Sequence, residues 1–259
     1  MLTNEILYLP PGRSLISQNI DLYTSIASDN VRYSLPNTIK NFLSRYARGI
    51  SNFDQRNIGV KKHEEYFLNS LFRGDLKIDT KYGSKSLIFK KQDNSSPLQR
   101  TASMIQDLAG IPVILFGAES HFLIIEEPEA HLHPENQMIF AKWLIKYMHD
   151  YEKVGIVPKI VITTHSENII AELENIIALC RIDFGVQKPI RFDEDLFINW
   201  KDIHLYSFEE MENQGFISNE RNKISKGFEG EIFGETVEKI YEEYQKIVEY
   251  RNEFGEINE

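Results

Sequence analysis

The sequence predicts an α/β fold in which a partial, mainly parallel sheet forms the core and a helical arm is inserted into it. Three observations carry that expectation. The stretch Phe122 to Pro134, FLIIEEPEAHLHP, sends four apolar residues straight into two adjacent glutamates, the pattern of a buried parallel strand that ends in charge. A second apolar run, KIVITTHS, closes on His165 and reads as a neighbouring strand. Between Pro36 and Arg73, by contrast, the apolar residues recur at helical spacing.

Taken in order, Ile6 to Leu9 before Pro10 reads as a short strand ending in a turn. In the arm, Ile39, Phe42, Leu43 and Tyr46 share one face, as do Tyr66, Phe67, Leu68 and Leu71, which predicts two amphipathic helices joined by a polar loop around Asn52 to Gly59. Leu76 to Lys91 predicts a hairpin, LKIDT and SLIFKK, turning at Tyr82-Gly83-Ser84. A helix is expected from Leu98 to Ala109, stopped by Gly110 and Pro112. Pro134 to Tyr151 predicts a helix with proline at its start and Ile139, Phe140, Trp143, Leu144 and Tyr147 on one face. Lys159 to Thr164 is the second core strand, and Ser166 is placed to cap a short helix through Leu173. Ile176 to Leu179 and His204 to Tyr206 read as third and fourth strands. Ile232, Val237, Ile240, Tyr241, Tyr244, Ile247 and Val248 predict a packed terminal helix over Gly230 to Tyr250. The expected organisation is a core lobe of residues 1–30 and 76–259 with an arm of residues 31–75.

Composition narrows the class. A chain of 259 residues with 42% hydrophobic content can bury a sizeable core. The single cysteine, Cys180, excludes a disulfide framework, and no apolar run approaches the roughly 20 residues that span a bilayer. The opening MLTNEILYLPPGR lacks the basic and then apolar regions of a secretory signal, so a cytoplasmic setting is expected. The net charge of −10 argues against indiscriminate nucleic-acid binding, yet the charge is unevenly spread. Residues 31–100 hold 14 Lys or Arg against 6 Asp or Glu, a balance of +8, and residues 205–259 hold 6 against 14, a balance of −8. The basic stretch suits contact with nucleic acid or an acidic partner; solvated helix faces give the same counts.

Two carboxylates at a strand end suit phosphoryl transfer, where a protein supplies charge neutralisation and a positioned water rather than covalent chemistry. Glu126 is placed to hold the waters that Mg²⁺ prefers to keep, and Glu127 to polarise the attacking water as general base. His131 and His133 form an HxH pair that could offer two metal ligands on one face, but no third ligand at zinc spacing accompanies them.

Glu126, Glu127, the following EAHLHP and the ITTHS segment together resemble the Walker B, D-loop and switch histidine of ABC-type ATPases. More narrowly, the chain resembles the prokaryotic AAA-family proteins that include the overcoming-lysogenization-defect and RecF-like ATPases. The resemblance implies an ABC-ATPase-like P-loop NTPase sheet, with ATP and Mg²⁺ as its ligands. It implies that His165 hydrogen-bonds the γ-phosphate and that Glu129, His131 and His133 belong to a loop facing an opposing protomer. Asn94 to Arg100, NSSPLQR, resembles the ABC signature, which would bring Ser95 and Ser96 towards a nucleotide held by the other subunit. Pro97 stands where the family usually has glycine, and it removes one N–H donor there.

No GxxxxGK[ST] loop, whose backbone N–H groups and lysine cradle phosphates, occurs in the 259 residues. The nearest stretch, Gly83-Ser84-Lys85-Ser86, lacks the Gly-Lys pair and precedes a strand rather than a helix. The chain therefore resembles the C-terminal half or two-thirds of such an ATPase, inactive alone and dependent on a Walker A segment supplied in trans. A homodimer joined head to tail, or a partner polypeptide bearing that segment, is the expected assembly. The alternative is a catalytically silent regulatory or scaffold module of the same fold, in a mobile-element defence or DNA-maintenance complex. Asp183, Asp193, Asp195 and Asp202 lack the context of a nuclease site, and none is assigned.

Overall fold

The structure, a computed structural model, describes residues 6–13, 36–55, 61–80, 85–116, 122–180, 193–196, 202–211 and 215–220. The chain divides into two compact units, residues 1–198 and 199–259.

The first unit is α/β and is centred, among the described residues, on a three-stranded parallel sheet. Its middle strand, β5 (Phe122–Glu126), pairs with β1 (Ile6–Leu9) on one side and β6 (Lys159–Thr163) on the other. The register aligns Leu9, Ile125 and Ile162, and one residue further aligns Glu126 with Thr163. Because side chains alternate across a strand, Leu7, Leu9, Leu123 and Ile125 enter the core from one face. The opposite face carries Ile6, Tyr8, Phe122, Ile124, Glu126 and Val161 and is only partly covered, with Ile6 52% and Val161 45% exposed.

Helix α5 (Pro134–Glu152) links β5 to β6 and packs against α6 (Glu167–Cys180). It starts where expected, with Pro134 in its first turn, where a missing N–H leaves nothing unpaired. Trp143 is fully buried, its ring 5.4 Å from Phe67, 5.2 Å from Phe140 and 5.7 Å from Tyr147.

The two helices anticipated in the arm are present. α1 (Asn37–Ser51) buries Phe42, Leu43 and Tyr46 at the expected spacing. Gly49 lets it approach the backbone at Val113 closely, since a Cβ at that position would overlap the carbonyl oxygen of Val113. α2 (Lys62–Tyr66) widens into a π-type turn over Phe67–Phe72, ending at Arg73 in the left-handed region. A second, antiparallel sheet follows: β2 (Asp75–Asp79), β3 (Ser86–Lys91) and β4 (Asn94–Pro97). The anticipated hairpin is β2–β3, with residues 81–84 at its tip outside the described residues.

Three expectations are corrected. The helix foreseen from Leu98 to Ala109 is a 3₁₀ turn, Leu98–Arg100, followed by α3 (Ser103–Leu108) and then α4 (Gly110–Ile114). Pro112 sits in the first turn of α4, so it permits the helix it was expected to prevent. Ile176 to Leu179 are not a strand but the second half of α6, where Ile169, Ile176 and Ile177 are buried along one helical face. His204 to Tyr206 do not form the foreseen strand: β7 (Tyr206–Met211) begins there and pairs antiparallel with β8 (Gly215–Glu220) in the second unit. The terminal helix expected over Gly230 to Tyr250 lies outside the described residues.

His63 of α2 is buried where the sequence offered no signal. Its backbone N–H and Nδ1 both meet Oδ2 of Asp150, at 2.8 and 3.0 Å, and its ring lies against Phe116, Tyr147 and Tyr151. Burial, opposed by the hydrogen bond to Asp150, holds the imidazole down at about 4 against an ordinary value of 6.5. The folded value lies below the unfolded one, so the unfolded chain takes up the proton first. Stability is complete above pH 6.5, falls as the pH drops towards 4, and loses about 3 kcal/mol across that window. Asp195, held at about 2 chiefly by its hydrogen bond from Lys62, contributes only below that range. Urea unfolding at pH 7 and pH 4.5 measures the effect, and His63→Phe should flatten it.

Candidate functional site

The C-terminal edge of the parallel sheet carries three of the anticipated residues, Glu126, Glu127 and His165. Glu126 is the last residue of β5, and Glu127 extends the ladder by one further bond, its N–H donating to Thr163 O at 2.9 Å. His165 follows two residues after the end of β6, the strand paired with β5. Glu127 and His165 are both exposed at this edge, free to meet a ligand. In open parallel sheets ligands bind beyond this end of the strands.

Each carboxylate has its own surroundings. Glu126 lies on the partly covered face, and its Oε2 accepts a hydrogen bond from the Tyr8 hydroxyl at 2.9 Å. Burial, reinforced by that hydrogen bond and the charge of Glu126, pushes the Tyr8 phenol up to about 12, so it stays a donor. Glu127 adopts φ +44°, in the left-handed region that side chains other than glycine enter at a cost of about 1–2 kcal/mol. Arg73, Gln92 and His131 share this left-handed region. Replacement of Glu127 by Gly relieves the strain, offset by about 0.5–1 kcal/mol of glycine backbone entropy. Glu127→Gly is therefore expected to raise the unfolding free energy slightly, by about 0.5–1 kcal/mol in a urea titration, while removing the carboxylate.

Glu129 acts within its own chain. Its Oε1 accepts from the His165 backbone N–H at 2.6 Å and its Oε2 from the Thr164 hydroxyl at 2.9 Å. One carboxylate thus ties the turn after β5 to the turn carrying His165. Gln137 of α5 adds a second tie: its Nε2 donates to Leu132 O at 2.9 Å, while its Oε1 accepts from Ser166 at 2.6 Å and Asn168 at 2.9 Å. Ser166 caps α6 as anticipated, its hydroxyl accepting from Ile169 N at 3.1 Å.

The two loop histidines part company. His131, at φ +62°, brings Nε2 to 3.6 Å from the buried carboxylate of Asp107, whereas His133 caps α5 by accepting from Glu135 N at 3.4 Å. Among the described residues no group of three or more His, Cys, Asp or Glu side chains is arranged to hold a metal directly. A Mg²⁺ that keeps several waters and takes its inner ligands from phosphates needs no such cage, and a carboxylate oriented like that of Glu126 fits it.

Ser95 and Ser96 are elsewhere. They lie in β4, paired with Lys90 and Phe89 in the antiparallel sheet; a 3₁₀ turn capped by Pro97 follows, and the next α-helix starts only at Ser103. The structure places neither serine at a helix N-terminus. Part of the basic stretch is internally neutralised, as Lys62 pairs with Asp195 at 2.8 Å, Lys85 with Asp54 at 3.5 Å and Arg73 with Glu135 at 3.8 Å.

Sequence reasoning passed over Arg13. This residue is 2% exposed and lies beneath the carboxylate pair, with Nη1 donating to Pro10 O at 2.9 Å and Glu126 O at 2.8 Å. The only signal was the PPGR turn that ends β1.

A family model described as AAA ATPase domain matches residues 15–170, more than half of the chain. No curated protein matches it. Among solved structures, the Smc head domain with an extended coiled coil bound to the C-terminal domain of ScpA, from Pyrococcus furiosus, is similar at 18% identity over 52% of this chain, with a TM-score of 0.31. The chain spans 32% of that structure's length. Another, from work on ATP-driven dimerization and DNA-stimulated activation of SMC ATPases, is similar at 12% identity over 80% of this chain and 96% of that one, with a TM-score of 0.38. Among the described residues no helix is long and apolar enough to cross a membrane.

Proposed function

The chain belongs to the AAA ATPase domain family, and from that premise we propose that its sheet edge completes an ATP-hydrolysing site whose phosphate-gripping loop comes from another stretch of polypeptide. The observation that carries this reading is the uneven cover of the parallel sheet. Parallel strands are ordinarily buried on both faces, yet here the face bearing Ile6, Tyr8, Phe122, Ile124 and Val161 stays partly open, and it is the face on which Glu126 lies. A helix laid on that surface, with its N-terminus at the strand ends, brings a phosphate loop directly to the carboxylates.

When bound with the nucleotide, Mg²⁺ would supply charge neutralisation, and Glu126 would hold the water around it. Glu127 takes the proton of the attacking water, and His165 donates a hydrogen bond to the terminal phosphate. Glu129 keeps His165 in register with Glu127 through its two hydrogen bonds. The EEPEAHLHP and ITTHS segments favour a member of the overcoming-lysogenization-defect and RecF-like group, in a cytoplasmic assembly. The core of residues 1–30 and 76–259, with residues 31–75 as an insertion, forms one half of a head-to-tail pair. Ser95 and Ser96 face the nucleotide of the opposing half only if that edge strand rearranges on pairing.

The test is reconstitution. The chain alone should release no phosphate from Mg·ATP, and addition of a polypeptide carrying the phosphate loop should produce Mg²⁺-dependent turnover. Turnover by the chain alone contradicts the proposal. Assembly without turnover or ATP binding favours instead a silent scaffold of the same fold.

A further inference from the structure

Arg13 is a buried cation that makes its hydrogen bonds to main-chain carbonyls. It follows a turn, Pro10-Pro11-Gly12-Arg13, whose third residue is Gly12 at φ +63°, the conformation that a type II turn reserves for glycine. No atom lies within 4 Å of where a Cβ on Gly12 would be, so the glycine answers a backbone need rather than a steric one. That turn folds the chain back from β1 so that the guanidinium passes under the end of β5. There Nη1 donates to Pro10 O and Glu126 O at 2.9 and 2.8 Å, and Nη2 reaches Glu127 O at 3.4 Å. The buried Nε has no hydrogen-bond partner among the described residues.

Burying a guanidinium is costly, and a fork aimed at carbonyls recovers only part of that cost. The carbonyls it holds belong to the two residues whose carboxylates matter most. Glu127 also sits at a strained φ of +44°, which persists only if its surroundings over-determine it. Arg13 grips the peptides on both sides of that strained residue, beside the bonds from Glu127 N–H to Thr163 O and from Ala130 N–H to Glu127 O. Its planar fork spans two successive carbonyls, which a lysine ammonium cannot do in fixed geometry. Burial pulls its pKa down, and the nearby charges of Asp107, Glu129 and Glu127 oppose that pull.

We propose that Arg13 is a positioning residue for the hydrolytic centre, locking the Glu126–Glu127 main chain so that the Glu127 carboxylate is aimed at the attacking water. This rests on the reading of Glu127 as general base, and it assigns Arg13 no contact with nucleotide. Arg13 acts through geometry alone. Its loss should therefore lower the rate of the chemical step and leave nucleotide affinity in place.

The test uses Arg13→Lys, with Arg13→Gln as the second variant if the first loses its helical circular dichroism. Hydrogen exchange on the isolated chain should show the amides of residues 126, 127, 129 and 130 exchanging about tenfold faster or more, with those of α5 unchanged. In the reconstituted assembly kcat for ATP should fall about 10²-fold while KM stays within about twofold, the mark of misplacement rather than lost binding. Unchanged exchange at residues 126, 127, 129 and 130, or a loss confined to KM, overturns the proposal. If the wild-type assembly itself hydrolyses no ATP, the hydrolytic reading fails, and exchange alone then decides whether Arg13 holds the carboxylate pair.

Discussion

Glu127→Gln should reduce ATP turnover by the reconstituted assembly by about 10²–10⁴-fold while Mg·ATP stays bound. Gln keeps the size of Glu and can occupy the same left-handed backbone position, so the N–H to Thr163 O bond and the hold of Arg13 on the flanking carbonyls persist. It cannot take a proton from water. The side chain is exposed at the sheet edge, and among the described residues it has no hydrogen bond that the amide would disrupt. The loss should therefore fall on kcat with little change in KM, and filter binding should recover an assembly loaded with unhydrolysed ATP. A Gln variant that turns over at the wild-type rate removes Glu127 from the mechanism. Glu127→Gly provides the contrast, equally inactive but slightly more stable, which separates chemistry from backbone strain.

Trp143→Ala should cost about 3–5 kcal/mol of stability, the largest effect expected of any single core replacement here. The indole is fully buried and contacts Phe67 from the π-type turn after α2 as well as Phe140 and Tyr147 of its own helix. Truncation leaves a cavity where α5 meets the segment after α2, and rings fixed on two separate elements cannot collapse into it. Domains are commonly stable by only about 5–15 kcal/mol, so the variant should be close to unfolding at 37 °C. Urea denaturation followed by far-ultraviolet circular dichroism measures this. A loss below about 1 kcal/mol would mean that the segment after α2 does not share a core with α5.

Legibility tracked the range of the interactions. β5 and β6 were readable because parallel core strands are apolar runs with abrupt charged or polar ends, and α5 because proline and a one-sided apolar stripe bracket it. The error in α6 came from two Ile-Ile pairs, Ile169-Ile170 and Ile176-Ile177, set seven residues apart on one helical face. The second pair, followed by Ala and Leu, imitates a short buried strand unless the whole length is weighed. Pro112 misled in the opposite direction, because a proline in the first turn of a helix is harmless. The partners of the site were out of reach. Arg13 meets Glu126 across 113 residues and His63 meets Asp150 across 87, and neither pairing leaves a local pattern. Glu129 was foreseen on an outward-facing loop, whereas its carboxylate is spent on Thr164 and the His165 backbone within the same chain. Ser95 and Ser96 resemble a helix-start signature in letters, yet β-pairing with Phe89 and Lys90 takes them first.

The most direct measurement is photocleavage of the assembly after trapping with ADP and orthovanadate, which occupies the place of the departing γ-phosphate and cuts the main chain beside it on irradiation. Mass spectrometry of the fragments should find two cuts in this chain, within residues 126–129 and within residues 163–166. Intact main chain at both places, with cleavage elsewhere in the chain, would contradict the assignment of Glu127 and His165 to a shared phosphate.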